Sequence, residues 1–300
     1  MRFIKLLVFC TVATAAGGSY ATALTASQIL SQFNAVVTGT FTSGDDVEGR
    51  VIANEIKGGA TFYNNPDGST SAYGAVNANK IDSFNANVNN GGKVDYQTSN
   101  AAHFNLNGGG TISQTPSFAI SDFATALNGL SNQLGALTAN SVVNSKDPNQ
   151  FTFDLTPNAS GVAVFDISSA LLSSSRNILF TDTSATNTII INVSGTSFTD
   201  TSNFNANAFL NTHIIWNFED ATSLSFEGWH GTVLAGDASV TNSSAMEGTL
   251  YAANFTGNGE LHDDPFAGTL PTSAAVPEPA SIALFLSGLL LLLLAYRRRC

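Results

Sequence analysis

The stretch GTVLAGDASVTNSSAMEGTLYAANF, residues 231–255, carries the pattern that decides the fold. It contains one five-residue motif twice, Gly-x-apolar-apolar-Ala, at 231–235 and at 248–252, which lie 17 residues apart. A third copy stands at 49–53. An apolar-Glu-Gly triplet begins at Val47, Phe226 and Met246, the last two 20 residues apart. Periods near 20 residues match one coil of a β-helix, in which each coil buries its apolar face against its neighbours.

Short runs of β-branched and aromatic residues, separated by Ser, Thr, Asn, Asp and Gly, surround this stretch and predict strands. Such runs stand at 151–155, 161–167, 177–183, 188–195, 213–218 and 223–228. Residues 33–54 show the same strand-and-turn pattern, and the Asn- and Gly-rich region 64–110 indicates short strands or loop. We therefore expect a mainly β fold, a β-solenoid of the right-handed β-helix type, with a β-sandwich of similar strand spacing as the alternative.

One segment has a helical pattern. Its apolar residues follow a spacing of 3, 4, 3, 4 and 3, and they are Ile120, Phe123, Leu127, Leu130, Leu134 and Leu137. This spacing predicts an amphipathic helix that starts near Ser121 or Asp122. We expect its apolar face to lie against the protein's own sheet, and a coiled-coil partner is the alternative. Residues 27–33 predict a second, short helix.

The N-terminus has the layout of a secretory signal peptide. Arg2 and Lys5 precede an apolar stretch at 4–16, and Ala21-Thr22-Ala23 fits a cleavage site for small residues. Ala21 and Ala23 are thus the predicted cleavage residues, and the mature chain is expected to begin near Leu24. The alternative is a buried N-terminal helix.

The C-terminus, VPEPASIALFLSGLLLLLLAYRRRC at 276–300, contains 17 uncharged residues at 280–296 followed by Arg297, Arg298 and Arg299. A helix of that length spans roughly 25 Å, near the lower limit for crossing a bilayer. The arginines would remain cytoplasmic and the preceding domain would lie outside the inner membrane. A buried core helix is the alternative interpretation.

An extended strip of backbone, Val276-Pro277-Glu278-Pro279, precedes this helix. The order of Pro-Glu-Pro, short hydrophobic helix and arginine cluster resembles the PEP-CTERM sorting signal of Gram-negative bacteria. The resemblance implies that an exosortase, an integral-membrane cysteine transpeptidase, recognises the tail and removes the helix. It also implies transient anchoring at the inner membrane before release to the cell surface or the extracellular matrix. The alternative is a tail anchor that is never cut.

Composition narrows the classes of function. The two cysteines, Cys10 and Cys300, both lie in the removable ends, so the mature chain has no disulfide, thiol nucleophile or cysteine metal site. The same ends hold five of the eleven basic residues, which leaves six against at most 22 acidic residues and a net charge near −16. Because nucleic-acid binding rests on cationic contacts to phosphate, this charge excludes nucleic acid as an expected partner.

Two segments, FNAVVTGTF…DVEGRV and residues 216–271, resemble the signature blocks of the choice-of-anchor A family. That family consists of secreted bacterial domains joined to varied C-terminal anchors and is described as adhesive. The resemblance implies no catalytic residues. The first block departs from the family pattern at 51–59, where VIANEIKGG replaces a more compact Gly-Gly turn.

Motifs for chemistry are few. His103, His213, His230 and His262 form neither an H-E-x-x-H nor an H-x-H motif, so we predict no metal, cofactor or catalytic site. His262-Asp263-Asp264 suits metal binding or acid–base work, and a polar turn is the favoured interpretation. Asp45, Asp46 and Glu48 suit calcium or a solvated turn. Trp216 and Trp229 suit sugar stacking or the core, and the core is favoured for Trp216.

The resulting expectation is an exported surface or matrix protein with a structural or adhesive role and no enzymatic activity. Its parts are a signal peptide at 1–23, a β-rich domain at 24–271, a linker at 272–279 and a sorting helix with its Arg cluster at 280–300. Its expected partners are an exosortase-type transpeptidase and an extracellular polysaccharide. The first alternative is a β-helix carbohydrate-active enzyme or carbohydrate-binding module, which needs an acidic cluster in a groove. The second is an ice-binding β-helix, which needs a flat face of regularly spaced Thr, and no such ladder is evident along the sequence.

Overall fold

A computed structural model describes residues 23–82, 84–100, 102–147, 149–204 and 206–271. The helices are α1 (Ala26–Leu30), α2 (Ile120–Gly135), α3 (Ser169–Leu172) and α4 (Ala208–His213). The strands are β1 (Ala35–Ser43), β2 (Val51–Lys57), β3 (Thr61–Phe62), β4 (Val76–Ile81), β5 (Asn85–Val88), β6 (Val94–Ser99), β7 (His103–Leu106), β8 (Ile112–Gln114), β9 (Val142–Asp147), β10 (Gln150–Asp154), β11 (Val162–Ser168), β12 (Asn177–Phe180), β13 (Thr188–Ser194), β14 (Ser197–Thr199), β15 (Asn203–Phe204), β16 (Ile214–Asn217), β17 (Ser223–Phe226), β18 (Trp229–His230), β19 (Thr232–Asn242), β20 (Met246–Glu247), β21 (Leu250–Gly257) and β22 (Leu261–His262).

The fold is mainly β and its sheets are built from parallel strands. The longest sheet has the order β11-β13-β16-β19-β21-β1-β2-β4-β6-β8, with β14 and β17 joined beside β19. Three smaller sheets run β15-β12-β10-β9, β18-β20-β22 and β3-β5-β7. Among the described strands only β9 and β10 pair antiparallel. These registers differ from the antiparallel sheets of a β-sandwich.

The repeated motifs lie on top of one another in the long sheet. Val233, Leu234 and Ala235 stand in register with Leu250, Tyr251 and Ala252. The next strands, β1 and β2, continue the same rows through Ala35–Val37 and Val51–Ala53. In each motif the outer two of these three side chains face the main core, whereas the middle one faces helix α2. The 17-residue repeat is therefore the separation between neighbouring strands of one sheet.

The first described strand, β1, lies in the middle of this sheet rather than at an end. Strand β1 leads outward through β2, β4 and β6 to β8, and the chain then passes through α2 to β11 at the opposite end. From β11 it returns through β13, β16 and β19 to β21, which pairs in parallel with β1. The pairing of β1 with β21 thus joins the first strand to a strand near the C-terminal end of the domain. We call this junction, with the segments next to it, the seam.

Buried side-chain hydrogen bonds hold this seam together. The Asn34 amide nitrogen donates to the carbonyls of Gly248 at 2.9 Å and His262 at 2.8 Å, and its oxygen accepts from the Gly49 backbone. The Thr249 hydroxyl lies near the carbonyls of Leu30 and Phe33, at 3.1 and 2.9 Å. Since a buried carbonyl without a partner costs about 1–3 kcal/mol, these side chains make the seam specific.

Helix α2 lies over the outer face of the long sheet, as its apolar spacing predicts. Phe123, Leu127 and Leu134 are buried in a layer with Val36, Ile52 and other residues of the sheet. Leu137, at the end of the predicted stripe, packs against this layer while partly buried. The helix begins at Ile120, next to the predicted Ser121 and Asp122, and the side chain of its N-cap Ala119 makes no capping bond. Leu127 and Leu134 are fully excluded from solvent, so the sheet is the surface that this stripe covers.

Asparagine ladders run along another side of the stack. The amide of Asn107 donates to Asn89 and that of Asn89 donates to Asn64, both at 2.8 Å. A parallel pair joins Asn105 to Asn87 at 3.1 Å. The Asn-rich region therefore forms strands β4 to β7, and several of its side-chain amides, in or just after these strands, bond to an asparagine of the neighbouring strand segment.

The predicted ends of the chain mostly fall outside the described residues. Residues 1–22, which hold Ala21 and most of the predicted signal peptide, lie outside them, as do 272–300 with the linker and the sorting helix. Ala23 is the first described residue and is exposed. Within the described part of the chain, no helix combines the length and the hydropathy needed to span a membrane.

Candidate binding face

The candidate site lies on the part of the long sheet that α2 leaves uncovered. Strands β1 and β19 are 9 and 11 residues long and extend past the helix. Irregular registers after Val37 and after Ala235 separate the covered half of these strands from the uncovered half. Gly39 sits at this irregularity because a side chain there would lie 2.5 Å from the Asn254 amide oxygen. Beyond it the alternation restarts, with Phe41, Val240 and Phe255 facing the core.

Hydroxyl side chains, with one amide from Asn254, occupy the outward positions of this uncovered half in two rows. We call them the hydroxyl array: one row is Ser197, Ser223, Ser239, Asn254 and Thr40, and the other is Thr199, Ser225, Thr241, Thr256 and Thr42. Neighbouring strands lie about 4.8 Å apart, and outward residues along one strand lie roughly 6.7 Å apart. The array therefore presents a two-dimensional lattice of small polar groups.

Many of the array's hydroxyls face solvent without a protein partner. Thr40 bonds to Glu55 at 3.2 Å, Asn254 to Ser239 at 3.4 Å, and Thr241 makes a long 3.5 Å contact with the Leu224 carbonyl. Within the described residues, no hydrogen bond is made by the side chains of Ser197, Ser223, Thr199, Ser225, Thr256 and Thr42. These groups are available to a ligand that offers donors and acceptors at similar spacing.

Charged residues mark one border of the array. Glu55, on β2, forms ion pairs with Lys57 at 3.2 Å and with Lys80. The bond from Lys80 is the main reason that the pKa of Glu55 lies below its usual value, and burial opposes it. The same bond raises the pKa of Lys80. The array itself carries no charge, although the chain has a net charge of −11.

The structure brings the predicted His262-Asp263-Asp264 group together with Glu260, two residues before it, and with Glu247 of the adjacent strand β20, and we call these residues the acid–histidine cluster. His262 contacts Glu247 through Nδ1 and Glu260 through Nε2, each at 2.8 Å. Burial by itself lowers the pKa of His262, but the bonds to the two carboxylates outweigh it and the pKa is raised. The pKa of Glu247 is raised, chiefly by burial and then by a hydrogen bond with Asp264.

Asp263 is the most perturbed acid of this cluster. Burial raises its pKa to about 7, although the backbone N–H of Asp67, 2.9 Å away, works in the opposite direction. Gly49 lies so close that an added Cβ would be 2.3 Å from the Asp263 carboxylate. The Asp263 backbone N–H in turn donates to Glu48 at 3.0 Å. These contacts join β22 to the chain just before β2, so the cluster belongs to the seam.

The acidic group Asp45, Asp46 and Glu48 is part of the same seam. The Asp46 carbonyl accepts from the Leu261 backbone at 3.0 Å, and the Glu48 backbone donates to the Leu261 carbonyl at 2.9 Å. The Asp46 carboxylate accepts from Asn64 at the end of an asparagine ladder. No group of three His, Cys, Asp or Glu residues within the described ranges is arranged to hold a metal ion.

Both tryptophans are core residues. Trp216 and Trp229 are fully buried, with ring centroids 4.7 Å apart, and the Trp216 indole donates to the His230 carbonyl at 2.9 Å. The core prediction for Trp216 is confirmed. The stacking of either ring on a sugar is excluded in this arrangement, since neither ring is exposed.

The predicted sorting residues lie outside the described residues, and their assignment stays a prediction. They are Val276, Pro277, Glu278, Pro279, Arg297, Arg298 and Arg299. The hydroxyl array was missed by the sequence analysis. Its members are spread over strands β14, β17, β19, β21 and β1, and each strand contributes only two residues. The available signal was a polar-apolar alternation in each strand, as in SLSF and ASVTN, which becomes a lattice only once the register is known.

Comparisons with known proteins agree with these features. Residues 26–263 match the family model described as "Putative Ice-binding-like adhesive domain", and residues 275–299 match the PEP-CTERM protein-sorting motif. The first description differs from choice-of-anchor A but names the same adhesive kind of domain. No curated protein is significantly similar to the chain.

Among solved structures, an ice-binding protein from the Antarctic ascomycete Antarctomyces psychrotrophicus is 13% identical over 81% of this chain and 97% of that one, with a TM-score of 0.32. The family model covers most of the chain and coincides with the strand-rich domain seen here. The chain belongs to the family of ice-binding-like adhesive domains and carries a PEP-CTERM sorting motif at its C-terminus.

Proposed function

We propose that this chain is an exported adhesive protein that binds an extracellular polysaccharide through the hydroxyl array. The observation that supports this most strongly is the array itself, an uncharged lattice of Ser, Thr and one Asn in which six side chains make no hydrogen bond within the described residues. In this proposal the stacked parallel sheets form one right-handed β-solenoid, the handedness that parallel crossover connections favour. The solenoid fixes the array because every coil repeats the position of the coil before it.

The proposed path to the surface uses both ends of the chain. The signal peptide at 1–23 directs export, and the domain at 24–271 is held at the inner membrane by residues 280–300. An exosortase-type transpeptidase then recognises Val276-Pro277-Glu278-Pro279 with Arg297, Arg298 and Arg299, and cuts near Pro277. The match of residues 275–299 to the PEP-CTERM motif supports this step. Release of the mature domain from a Gram-negative inner membrane completes the path.

The sorting step is tested by intact mass. The chain is isolated from cell fractions of the host and of a strain without its exosortase. We expect loss of the segment after about Pro277 only when the enzyme is present. A full-length tail in both strains would contradict sorting and leave a membrane-anchored domain. As a control, Glu278→Gln should keep the tail uncut in the host if the motif is read as proposed.

The chemistry of the array fits a polysaccharide better than a charged polymer. Sugars carry hydroxyl groups along a repeating chain, and these groups both donate and accept hydrogen bonds, as Ser and Thr hydroxyls do. Each contact contributes little, since a neutral hydrogen bond replaces one to water and gains about 0.5–1.5 kcal/mol net. Affinity therefore comes from the number of contacts that the array makes at the same time.

Binding is tested with an isosteric change that removes hydroxyls and preserves shape. The double variant Thr241→Val with Thr256→Val alters two neighbouring residues in one row of the array. The matched control, Thr138→Val with Thr156→Val, alters two exposed threonines outside it. Using the host's own matrix polysaccharide as the probe, we expect the array variant to bind about tenfold more weakly and the control to bind normally. This factor corresponds to loss of roughly 1.4 kcal/mol. Equal binding by the wild type and the array variant would refute the proposed face.

Ice adsorption is a second candidate, because the second row of the array places Thr199, Thr241, Thr256 and Thr42 on neighbouring strands, with Ser225 between the first two. Thr side chains present a methyl group beside each hydroxyl, which suits an ordered layer of water. The test is the shape of ice crystals grown in the presence of the protein. Faceted crystals with the wild type and rounded crystals with Thr241→Val plus Thr256→Val would favour ice over polysaccharide.

The enzymatic alternative rests on the groove beside the acid–histidine cluster. This groove is lined by Glu227, His230 and Glu247, so an acidic cluster of the required kind does exist. His262 contacts the Glu247 carboxylate at 2.8 Å, so this acid has a structural partner, whereas the bond from Glu227 to Asp200 is made by the Glu227 backbone. Release of reducing sugar from the matrix polysaccharide by the wild type, and not by Glu247→Gln, would replace the adhesive proposal with this alternative.

A further inference from the structure

One end of the long sheet is an open edge. Strand β8 pairs in parallel with β6 on one side, and no described strand pairs with its other side. The Val94 backbone donates to the Thr111 carbonyl at 2.8 Å, and the Thr115 backbone donates to the Tyr96 carbonyl at 2.7 Å. Because bonds in a parallel ladder alternate, the backbone N–H and C=O groups of Ile112 and Gln114 point away from β6. An unpaired row of this kind is a template for another strand.

The core is also uncovered at this end. Ile112 continues the row of Val76 and Val94, which are fully buried, yet 47% of its surface is exposed. Phe104 and Leu106, on the neighbouring strand β7, are only partly buried against the core. The last coil therefore exposes apolar side chains. In the earlier coils the equivalent side chains are covered by the coil that follows. A repeat stack normally ends in a polar cap, and within the described residues this end has none.

The opposite end of the sheet is covered by the chain itself. The Asn140 amide donates to the Val162 carbonyl at 3.0 Å and accepts from the Val164 backbone at 2.8 Å. The backbone N–H groups of Asn140 and Ser141 also lie within 3.1 Å of the Val164 carbonyl. These bonds occupy the edge of β11 at Val162 and Val164, so a second copy cannot stack along this strand head to tail. The open end can pair only with another open end, which gives a closed dimer and not a filament.

Charge favours a second copy as the occupant of this edge. Residues 96–121, which include β7 and β8, contain no Asp, Glu, Lys or Arg. The rest of the chain is acidic, and the region beside the covered end carries Lys146, Asp147 and Asp154. Two identical acidic copies repel one another least where neither has a charge. Natural edges that must stay unpaired are usually protected by charged residues, which are missing here.

We propose that β8 pairs antiparallel with β8 of a second copy, so that the long sheet continues through a two-fold dimer. Antiparallel pairing of identical edges places the two-fold axis along the normal of the sheet. The outer face of one copy therefore remains the outer face of the other, and both hydroxyl arrays look to the same side. Two arrays on one rigid body bind a long polymer more tightly than one, without any new contact.

The interface is tested by charge at its centre. Ile112→Lys and Ile112→Glu each give both copies the same charge at the paired edge, whereas a 1:1 mixture supplies opposite charges there. Val142→Lys is the matched control, since Val142 is 66% exposed near the covered end. Mass in solution is measured by light scattering on the chain isolated from the host's surface fraction, and circular dichroism verifies folding.

We expect the wild type and Val142→Lys to have twice the mass of one chain, each Ile112 variant to have the mass of one chain, and the mixture to return to twice that mass. A monomeric wild type would overturn the proposal, and so would an Ile112→Lys variant that remains dimeric. Dissociation of Val142→Lys to the same extent would also overturn it, by moving the contact to the other end. None of these outcomes depends on binding of polysaccharide, so the dimer and the proposed function can fail separately.

Discussion

Substitution of Asp263 by Asn tests whether the acid–histidine cluster weakens the seam as pH rises. The pKa of Asp263 is about 7 in the folded protein, against an ordinary value near 3.8. Between these two values, the Asp263 carboxyl is protonated in the native state and ionised in the unfolded state. Stability from this group is present at acidic pH, falls as pH rises from about 4 to 7, and is fully lost above that range. The difference between the two pKa values corresponds to at most about 4 kcal/mol.

The neutral Asn keeps the acceptor for the Asp67 backbone and never ionises. We expect Asp263→Asn to unfold with a free energy about 2–4 kcal/mol higher than the wild type near pH 9, and nearly equal to it near pH 4. The raised pKa of His262 adds a second loss as pH rises, so the variant's stability should decline less steeply but not become flat. Urea denaturation followed by tryptophan fluorescence measures both free energies.

Asp182 provides a control with the opposite sign. Bonds from Ser184 lower its pKa, so its ionised form is favoured in the folded state and Asp182→Asn should not raise stability at alkaline pH. Asp263→Asn could prove no more stable than the wild type near pH 9, or could show the same gain near pH 4 as near pH 9. Either result would show that burial does not raise the pKa of Asp263.

Two further substitutions test the packing of the domain. Leu127→Ala, in the fully buried stripe of α2, should lower the free energy of unfolding by about 2–5 kcal/mol, whereas Asn132→Ala on the exposed face of the same helix should change it by less than about 1 kcal/mol, both measured by urea denaturation. Equal effects would show that the helix is not docked on the sheet. Asn34→Ala removes a buried side chain that bonds Gly248, His262 and Gly49 across the seam, and should cost at least about 2 kcal/mol in thermal unfolding; a loss below about 0.5 kcal/mol would mean that the seam does not depend on it.

The repeats made the class of fold predictable. Gly-x-apolar-apolar-Ala recurs because Val233, Leu250 and Val51 occupy the same core row of successive strands, and the period of 17 residues is the length of chain between two of them. The helix was equally predictable, since a 3-4 spacing over more than four turns has one consistent interpretation. Local pattern was sufficient wherever burial alone determined the choice of residue.

The order of the strands was not predictable from local pattern. Pairing of β1 with β21 joins residues more than 200 positions apart, as in the contact of Ala35 with Leu250. Nothing in either strand specifies the other beyond the motif that all the strands share. The specificity of this pairing comes from the buried hydrogen bonds of Asn34 and Thr249. In the sequence these two residues resemble ordinary turn residues.

The hydroxyl array shows the same limit for the candidate site. Ser225 and Thr241 are separated by 16 residues and carry no motif, yet they are cross-strand neighbours. Their alternation with Leu224 and Val240 predicts only that they face outward. The irregular registers after Val37 and Ala235, which decide where α2 ceases to cover the sheet, depend on close contacts such as that of Gly39 with Asn254.

The measurement that most directly tests the account is a map of the bound polysaccharide by NMR of threonine methyl groups. The chain from the host's surface fraction is labelled at threonine and titrated with the host's own matrix polysaccharide. We expect shifts at Thr42, Thr199, Thr241 and Thr256, with Thr138 and Thr156 unchanged. Shifts confined to threonines outside the array, or none at saturating polysaccharide, would contradict the claim that this face is the adhesive surface.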